Sequence, residues 1–126
     1  MTPEELRKLV EEIQQRQSEL ENVEVKTAKG GTPKRLYESL SAFANRPGGG
    51  AIVFGLDERR GFEVGGVGDL KRLQEELTSV ASDQMEPAIR PVFTIDEIDG
   101  EIVAAIEVEE VPAAQKPCFY KNAGSY

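Results

Sequence analysis

Leu6, Leu9, Val10 and Ile13 recur at the three- and four-residue spacing of one helical face, and Thr2-Pro3-Glu4-Glu5 ahead of them is a capping box with proline at the first helical position. This pattern predicts a helix over residues 2–15. From Val23 the period changes to two: Val23-Glu24-Val25-Lys26 is a strand with the valines inward and Glu24 and Lys26 together on the opposite face. Lys29-Gly30-Gly31-Thr32-Pro33 reads as a turn ending in a second N-cap, Thr32, followed by proline. Leu36, Leu40, Phe43 and Ala44 then make the buried stripe of a second helix, which stops at Asn45-Arg46-Pro47-Gly48-Gly49-Gly50.

Residues 51–56 are nearly all apolar over a strand's length, the pattern of a central strand covered on both faces, with Asp57 at its end. A short strand over 62–64 and a glycine-rich turn lead to Asp69, which caps a third helix burying Leu70, Leu73, Leu77, Val80 and Ala81. Pro87 and Pro91 bracket its exit. Residues 92–98 and 101–108 are strands joined by a tight hairpin at Asp99-Gly100, and residues 116–126 add an edge strand. Phe43, Phe54 and Phe93 read as core. The order α-β-α-β-β-α-β-β predicts an α/β fold, with α+β as the alternative, built on a mixed sheet of five or six strands and three helices.

A chain of 126 residues that is 39% hydrophobic and 30% charged suits one domain with its own core. Fifteen Lys+Arg against 23 Asp+Glu give a net charge of −8, which opposes a uniformly basic nucleic-acid coat or an anionic-membrane surface. The charge is unevenly placed. Residues 96–110 carry seven acids and no base, whereas residues 23–50 carry five cations, Lys26, Lys29, Lys34, Arg35 and Arg46, against Glu24 and Glu38. Without histidine, imidazole acid-base chemistry, Ser/His/Asp triads and His metal sites are excluded. The single cysteine, Cys118, forms no intramolecular disulfide or thiolate cage and fits a reducing compartment. With no signal-type apolar segment and no run of spanning length, the expectation is a cytoplasmic domain with no membrane partner.

The glycine clusters do not cradle phosphate. Gly48-Gly49-Gly50 follows a helix and opens a strand, the reverse of a phosphate loop, and Gly65-Gly66-Val67-Gly68 lacks the G-x-G-x-x-G spacing. Two other constellations carry chemistry. Glu24-x-Lys26 on one strand face, with Glu19 and Asp57, supplies oxygen ligands for Mg²⁺ or Mn²⁺ and a cation for a transferring phosphoryl group; the plain alternative is an exposed ion pair and a turn aspartate. Lys26, Lys29, Lys34 and Arg35, beside a helix start capped by Thr32 and extended by Arg59 and Arg60, form a candidate phosphate-binding surface; the plain alternative is a solvated helix start.

In order and spacing, Glu19-x4-Glu24-x-Lys26, Ser41-Ala42-Phe43-Ala44-Asn45, Gly48-Gly49, Val53-Phe54-Gly55-Leu56-Asp57, Gly65-Gly66-Val67, Lys116-Pro117 and Gly124-Ser125-Tyr126 resemble the Schlafen-type AlbA_2 domain. The resemblance runs from about Glu19 to Tyr126. It implies a domain over 19–126 preceded by a helix over 1–18, excised from a longer protein of transcriptional-regulator type, with the C-terminal domains of the parent chain as partners. It implies nucleic-acid binding, to DNA or RNA, which requires no cofactor. Animal Schlafen relatives that cut transfer RNA imply the alternative, a Mg²⁺- or Mn²⁺-dependent endoribonuclease. Its three acids fall on Glu19, Glu24 and Asp57, with Lys26 beside them, and a single lobe of this kind would act as a homo-oligomer. A third reading is a structural oligomerisation module.

Overall fold

The computed structural model describes residues 1–122. The first helix, α1, spans Pro3–Arg16. Its capping box is complete: Thr2 Oγ1 accepts from the Glu5 N–H at 3.1 Å, and Glu5 Oε1 accepts from the Thr2 N–H at 2.8 Å. Gln17, in left-handed conformation, ends it, and Leu6, Val10 and Ile13 form its buried face. There follow β1 (Val23–Lys26), α2 (Leu36–Ala44), β2 (Gly50–Phe54), β3 (Leu56–Asp57), β4 (Glu63–Val64) and α3 (Leu70–Ser79), which continues as a π turn over Val80–Gln84. The remaining strands are β5 (Met85–Glu86), β6 (Val92–Ile98), β7 (Glu101–Val108) and β8 (Phe119–Tyr120).

The main sheet has the order β1-β2-β7-β6, with β1 parallel to β2 and the other pairs antiparallel. Alternation divides its two faces. Val25, Val53, Val103 and Ala105 pack with the buried face of α1, while Ile52, Phe54, Ala104, Ile106 and Val108 pack with Leu40 and Phe43 of α2 and Leu73 and Leu77 of α3. Phe54, Ile52, Val53 and Leu56 are completely buried, so β2 is the central strand expected from its apolar run. The Asp99-Gly100 turn joins Ile98 to Glu101 in register, both turn residues having positive φ.

Several expectations are corrected. The strands number eight in three sheets among the described residues, not five or six in one. The run over 51–56 is broken at Gly55, whose φ of 111° turns Leu56–Asp57 away to pair with Val64 and Glu63. The second helix begins at Leu36, after Arg35 in left-handed conformation, so Thr32 does not cap it. The Glu76 carboxylate of α3 is held below its usual carboxylate range chiefly by Arg72, whose Nε donates to it. The C-terminal strand extends no edge of the main sheet; β8 pairs with β5, and Tyr120 stacks on Tyr37 of α2 at 4.1 Å. Phe93 is half-buried, at the margin of the core. Gly124, Ser125 and Tyr126 lie outside the described residues. Among the described residues no helix is long and apolar enough to cross a membrane.

Candidate nucleic-acid interface

β1 is an edge strand, and its alternation determines what the edge presents. Val23 and Val25 turn to the α1 side, so Glu24 and Lys26, in register with Ile52 and Phe54, turn to the α2 side. Their charged groups meet at 3.5 Å, each side chain about one-third exposed. Glu24 Oε2 is nevertheless buried with no hydrogen-bond partner. The Val25 N–H, which faces away from β2, is capped by Glu19 Oε2 at 2.6 Å. Glu19 therefore sits beside Glu24 because it closes the open edge of β1, with one oxygen committed to the backbone.

Between β1, the 19–22 loop and α2 lies a groove of about 590 Å³ lined by four cations, Lys26, Lys34, Arg35 and Arg46, and four acids, Glu19, Glu21, Glu24 and Glu38. Lys34 and Arg35 come from the turn that precedes α2, and Arg35 is only loosely paired, 3.8 Å from Glu38. Arg46 was not singled out as a site residue by sequence. It lies over the Phe43 ring at 5.2 Å and donates to Asn22 Oδ1 at 3.1 Å, which orients its guanidinium. A signal for it existed. Arg35, Glu38, Ser39, Ala42 and Arg46 follow helical spacing along the flank of the Leu36, Leu40 and Phe43 stripe, and all five line the groove beside Phe43.

The other expected residues fall around the C-terminal ends of β1 and β2. Asp57 Oδ1 accepts the Arg59 N–H at 3.0 Å and starts a 3₁₀ turn over Glu58–Arg60; its other oxygen is 3.9 Å from Arg60 Nε. Asp57 lines one depression of about 390 Å³ with Lys29 and Arg60, and another of about 450 Å³ with Lys26 and Arg59. Lys26 is thus shared between the groove and the Asp57 side. Glu19 and Glu24 are brought together, and Asp57 lines different depressions. Among the described residues no group of three or more His, Cys, Asp or Glu is placed to hold a metal ion. Thr32 lines none of these depressions. Cys118 is buried, and desolvation pushes its thiol pKa up, which leaves it an unreactive packing group.

Of the acidic hairpin, Asp96 and Glu97 lie on β6, the edge strand opposite β1, whereas β7 is an inner strand, and Glu107 and Glu109 share a neighbouring depression with Glu21, Asn22 and Val23. Part of the hairpin's charge is answered locally: Asp96 by Arg7 at 2.9 Å, Glu110 by Lys116 at 2.5 Å, and Glu107 by the Met1 amine.

The family model for the Schlafen AlbA_2 domain matches residues 19–126. The chain belongs to that family. Its fold is similar to the solution structure of the N-terminal domain of a Nitrosomonas europaea protein named as related to the ATP-dependent DNA helicase RecG. That likeness has a TM-score of 0.75 at 26% identity and covers 90% of this chain and 78% of that one. The DIP2311 protein of Corynebacterium diphtheriae shares the fold, with a TM-score of 0.59 at 22% identity over 94% of this chain; the AlbA_2 domain spans 24% of that longer chain. No curated protein matches the sequence. In this AlbA_2 domain the matched region starts at Glu19, directly after α1, the helix that covers one face of the sheet.

Proposed function

We propose that this AlbA_2 domain binds nucleic acid, holding a sugar-phosphate backbone in the groove between β1 and α2 with Lys26 at its centre. The observation that carries the reading is the gathering of Lys26, Lys34, Arg35 and Arg46 in one groove, while Asp96 and Glu97 of the hairpin lie on the opposite edge strand. The likeness to the N-terminal domain of a protein named for a DNA helicase supports the same class of partner. Lys29, Arg59 and Arg60 extend the contact past the end of β1, and the role this reading gives the domain is in a transcriptional regulator. Each neutralised phosphate releases a counterion, so engagement of two to four phosphates gives a log–log salt slope of about −2 to −4. Fluorescence anisotropy of labelled duplex DNA and structured RNA at several salt concentrations tests it. Absence of binding at low salt, or binding indifferent to salt, defeats the proposal.

One observation favours a second reading, a metal-dependent endoribonuclease. Glu24 Oε2 is buried without a partner beside Glu19 in the same groove, an oxygen suited to Mg²⁺ or Mn²⁺. These two carboxylates fit such an ion; Asp57, turned to its own 3₁₀ turn, does not share their groove. When bound, the ion would polarise a phosphoryl oxygen, and Lys26 would offset the phosphate charge. Cleavage of transfer RNA with and without Mn²⁺ decides this, and cleavage surviving Glu24→Ala refutes the assignment.

A further inference from the structure

The hydrogen-bonding sense of the sheet can be followed strand by strand to its other edge. Ala51 N–H donates to Asn22 O and Gly55 N–H to Lys26 O, so odd-numbered residues of β2 bond β1 and even-numbered ones bond β7. Through the registers Ile52↔Ile106 and Thr94↔Ala105, the even-numbered residues of β6 bond β7. Phe93, Ile95 and Glu97 therefore aim their N–H and C=O groups out of the sheet. Those of Glu97 are occupied: its C=O accepts from Arg7 Nη2 at 3.0 Å and its N–H donates to Asp96 Oδ1 at 2.9 Å. Those of Phe93 and Ile95 have no partner among the described residues, and Pro91 ends the open stretch on the other side.

We propose that this short open edge is the seam of a homodimer, in which β6 of a second copy pairs antiparallel about Thr94 so that Phe93 of each chain faces Ile95 of the other. This register forms four main-chain hydrogen bonds from the four open residues. It leaves the Arg7–Asp96 clamp intact, whereas any register that recruits Glu97 must break it. Side chains agree with the backbone. Phe93 and Ile95 are half-buried on one face, and their mutual contact is an aromatic–β-branched cross-strand pair, made twice. Arg90 is exposed and without an ion pair among the described residues. It comes alongside the second copy's Ile98–Asp99 end, where Glu97 and Asp99 carry exposed charge. Val92, at 53% exposure one of the two exposed large hydrophobic side chains among the described residues, lies at the same seam.

The contact is short, at the low end of interface sizes, where weak and transient association is found. Two chains of charge −8 repel at long range, so added salt tightens this association, opposite in sign to phosphate binding. Sedimentation velocity from about 10 µM to 1 mM, with NMR amide exchange on the same samples, provides the test. The expected result is a concentration-dependent dimer in which the Phe93 and Ile95 amides change from fast to slow exchange. Ile95→Pro removes an outward N–H and no ladder bond, and is expected to stay folded and monomeric. Arg90→Glu is expected to weaken association several-fold. A chain that remains monomeric across the range, leaving the edge to some other extended segment, overturns the proposal. So does a dimer whose Phe93 and Ile95 amides still exchange freely. If Ile95→Pro fails to fold, wild-type exchange and Arg90→Glu decide the matter.

Discussion

Asn45 binds the backbone of Cys118 in both directions: its Nδ2 donates to the Cys118 carbonyl at 2.9 Å, and its Oδ1 accepts the Cys118 N–H at 2.7 Å. A side-chain amide here stands in for a strand neighbour. Ser41 Oγ adds a third bond to the same carbonyl at 3.1 Å, so the end of α2 holds the segment leading into β8. The opposite side of α2 lines the groove, which makes the C-terminal segment part of the scaffold beneath Arg35 and Arg46.

Asn45→Ala leaves the Cys118 N–H unpaired, while the Cys118 carbonyl keeps its bond from Ser41 Oγ. The expected cost is about 1–2 kcal/mol in urea unfolding. Asn45→Asp keeps the acceptor and loses the donors, so it falls between Ala and wild type. A loss below about 0.5 kcal/mol for Asn45→Ala would show that the segment is held by the Tyr37–Tyr120 stack instead.

Gly50 is required by contact. A Cβ there would lie 2.1 Å from Cδ1 of Phe43, a ring fixed in the core beneath Arg46. Gly50→Ala must displace that ring and is expected to cost about 1–3 kcal/mol. The same change at Gly30, with nothing within 4 Å and no positive φ, is expected to be neutral or stabilising by about 0.5 kcal/mol. Thermal unfolding of the two variants side by side checks the contrast.

What was legible in the sequence follows from the range of the forces involved. α1, β1, β6 and β7 are specified by local period, capping and a two-residue turn, and they form at or within a residue of the expected bounds. The start of α2 departs from the local pattern: Thr32-Pro33 is a sound N-cap signal, but Arg35 takes the left-handed conformation and the helix begins only at Leu36. Gly55 was read as part of a strand because its neighbours are apolar; the turn it makes is evident only once Leu56 and Asp57 are seen paired with β4. At the site, the shared face of Glu24 and Lys26 follows from alternation alone. The separation of Asp57 from Glu19 and Glu24 depends on that Gly55 turn, and no pattern of residue types reports it.

Stability toward acid depends on carboxylates held below their ordinary values. Arg7 is the main cause for Asp96, and Lys116, then the Gly48 N–H, for Glu110. A lowered folded-state pKa gives stability that is complete above the unfolded values, 3.8 for Asp96 and 4.5 for Glu110, and is lost as pH falls through the folded ones. Unfolding midpoints are therefore expected to drop below about pH 4.5, with no gain from these groups at higher pH. Asp96→Asn and Glu110→Gln should flatten that acid limb while lowering the plateau slightly, because both pairs are exposed. An acid limb unchanged in the double variant would place the sensitivity elsewhere.

Glu19 and Glu24, two of the four acids that line the groove, give the sharpest division between the functional readings. Glu19 carries a structural duty, since its carboxylate caps the Val25 N–H, so Glu19→Ala is expected to cost about 1–2 kcal/mol while Glu19→Gln, which keeps an acceptor, costs little. Glu24 has the opposite character: its buried Oε2 gains nothing from the fold, and its other oxygen holds Lys26 at 3.5 Å. Glu24→Gln removes a negative charge from the groove and frees Lys26. For a phosphate-binding groove the result is tighter nucleic-acid binding, by about two- to fivefold at low salt, with the salt slope retained. For a nuclease the same substitution abolishes Mn²⁺-dependent cleavage without weakening RNA binding. Lys34→Ala and Arg35→Ala, on the same surface and without buried contacts, each reduce the salt slope by about one if they meet phosphates. Anisotropy titrations and a cleavage assay on these variants read both outcomes from one set of proteins. Unchanged affinity in Glu24→Gln, together with unchanged slopes in the two basic variants, excludes this groove as the contact surface.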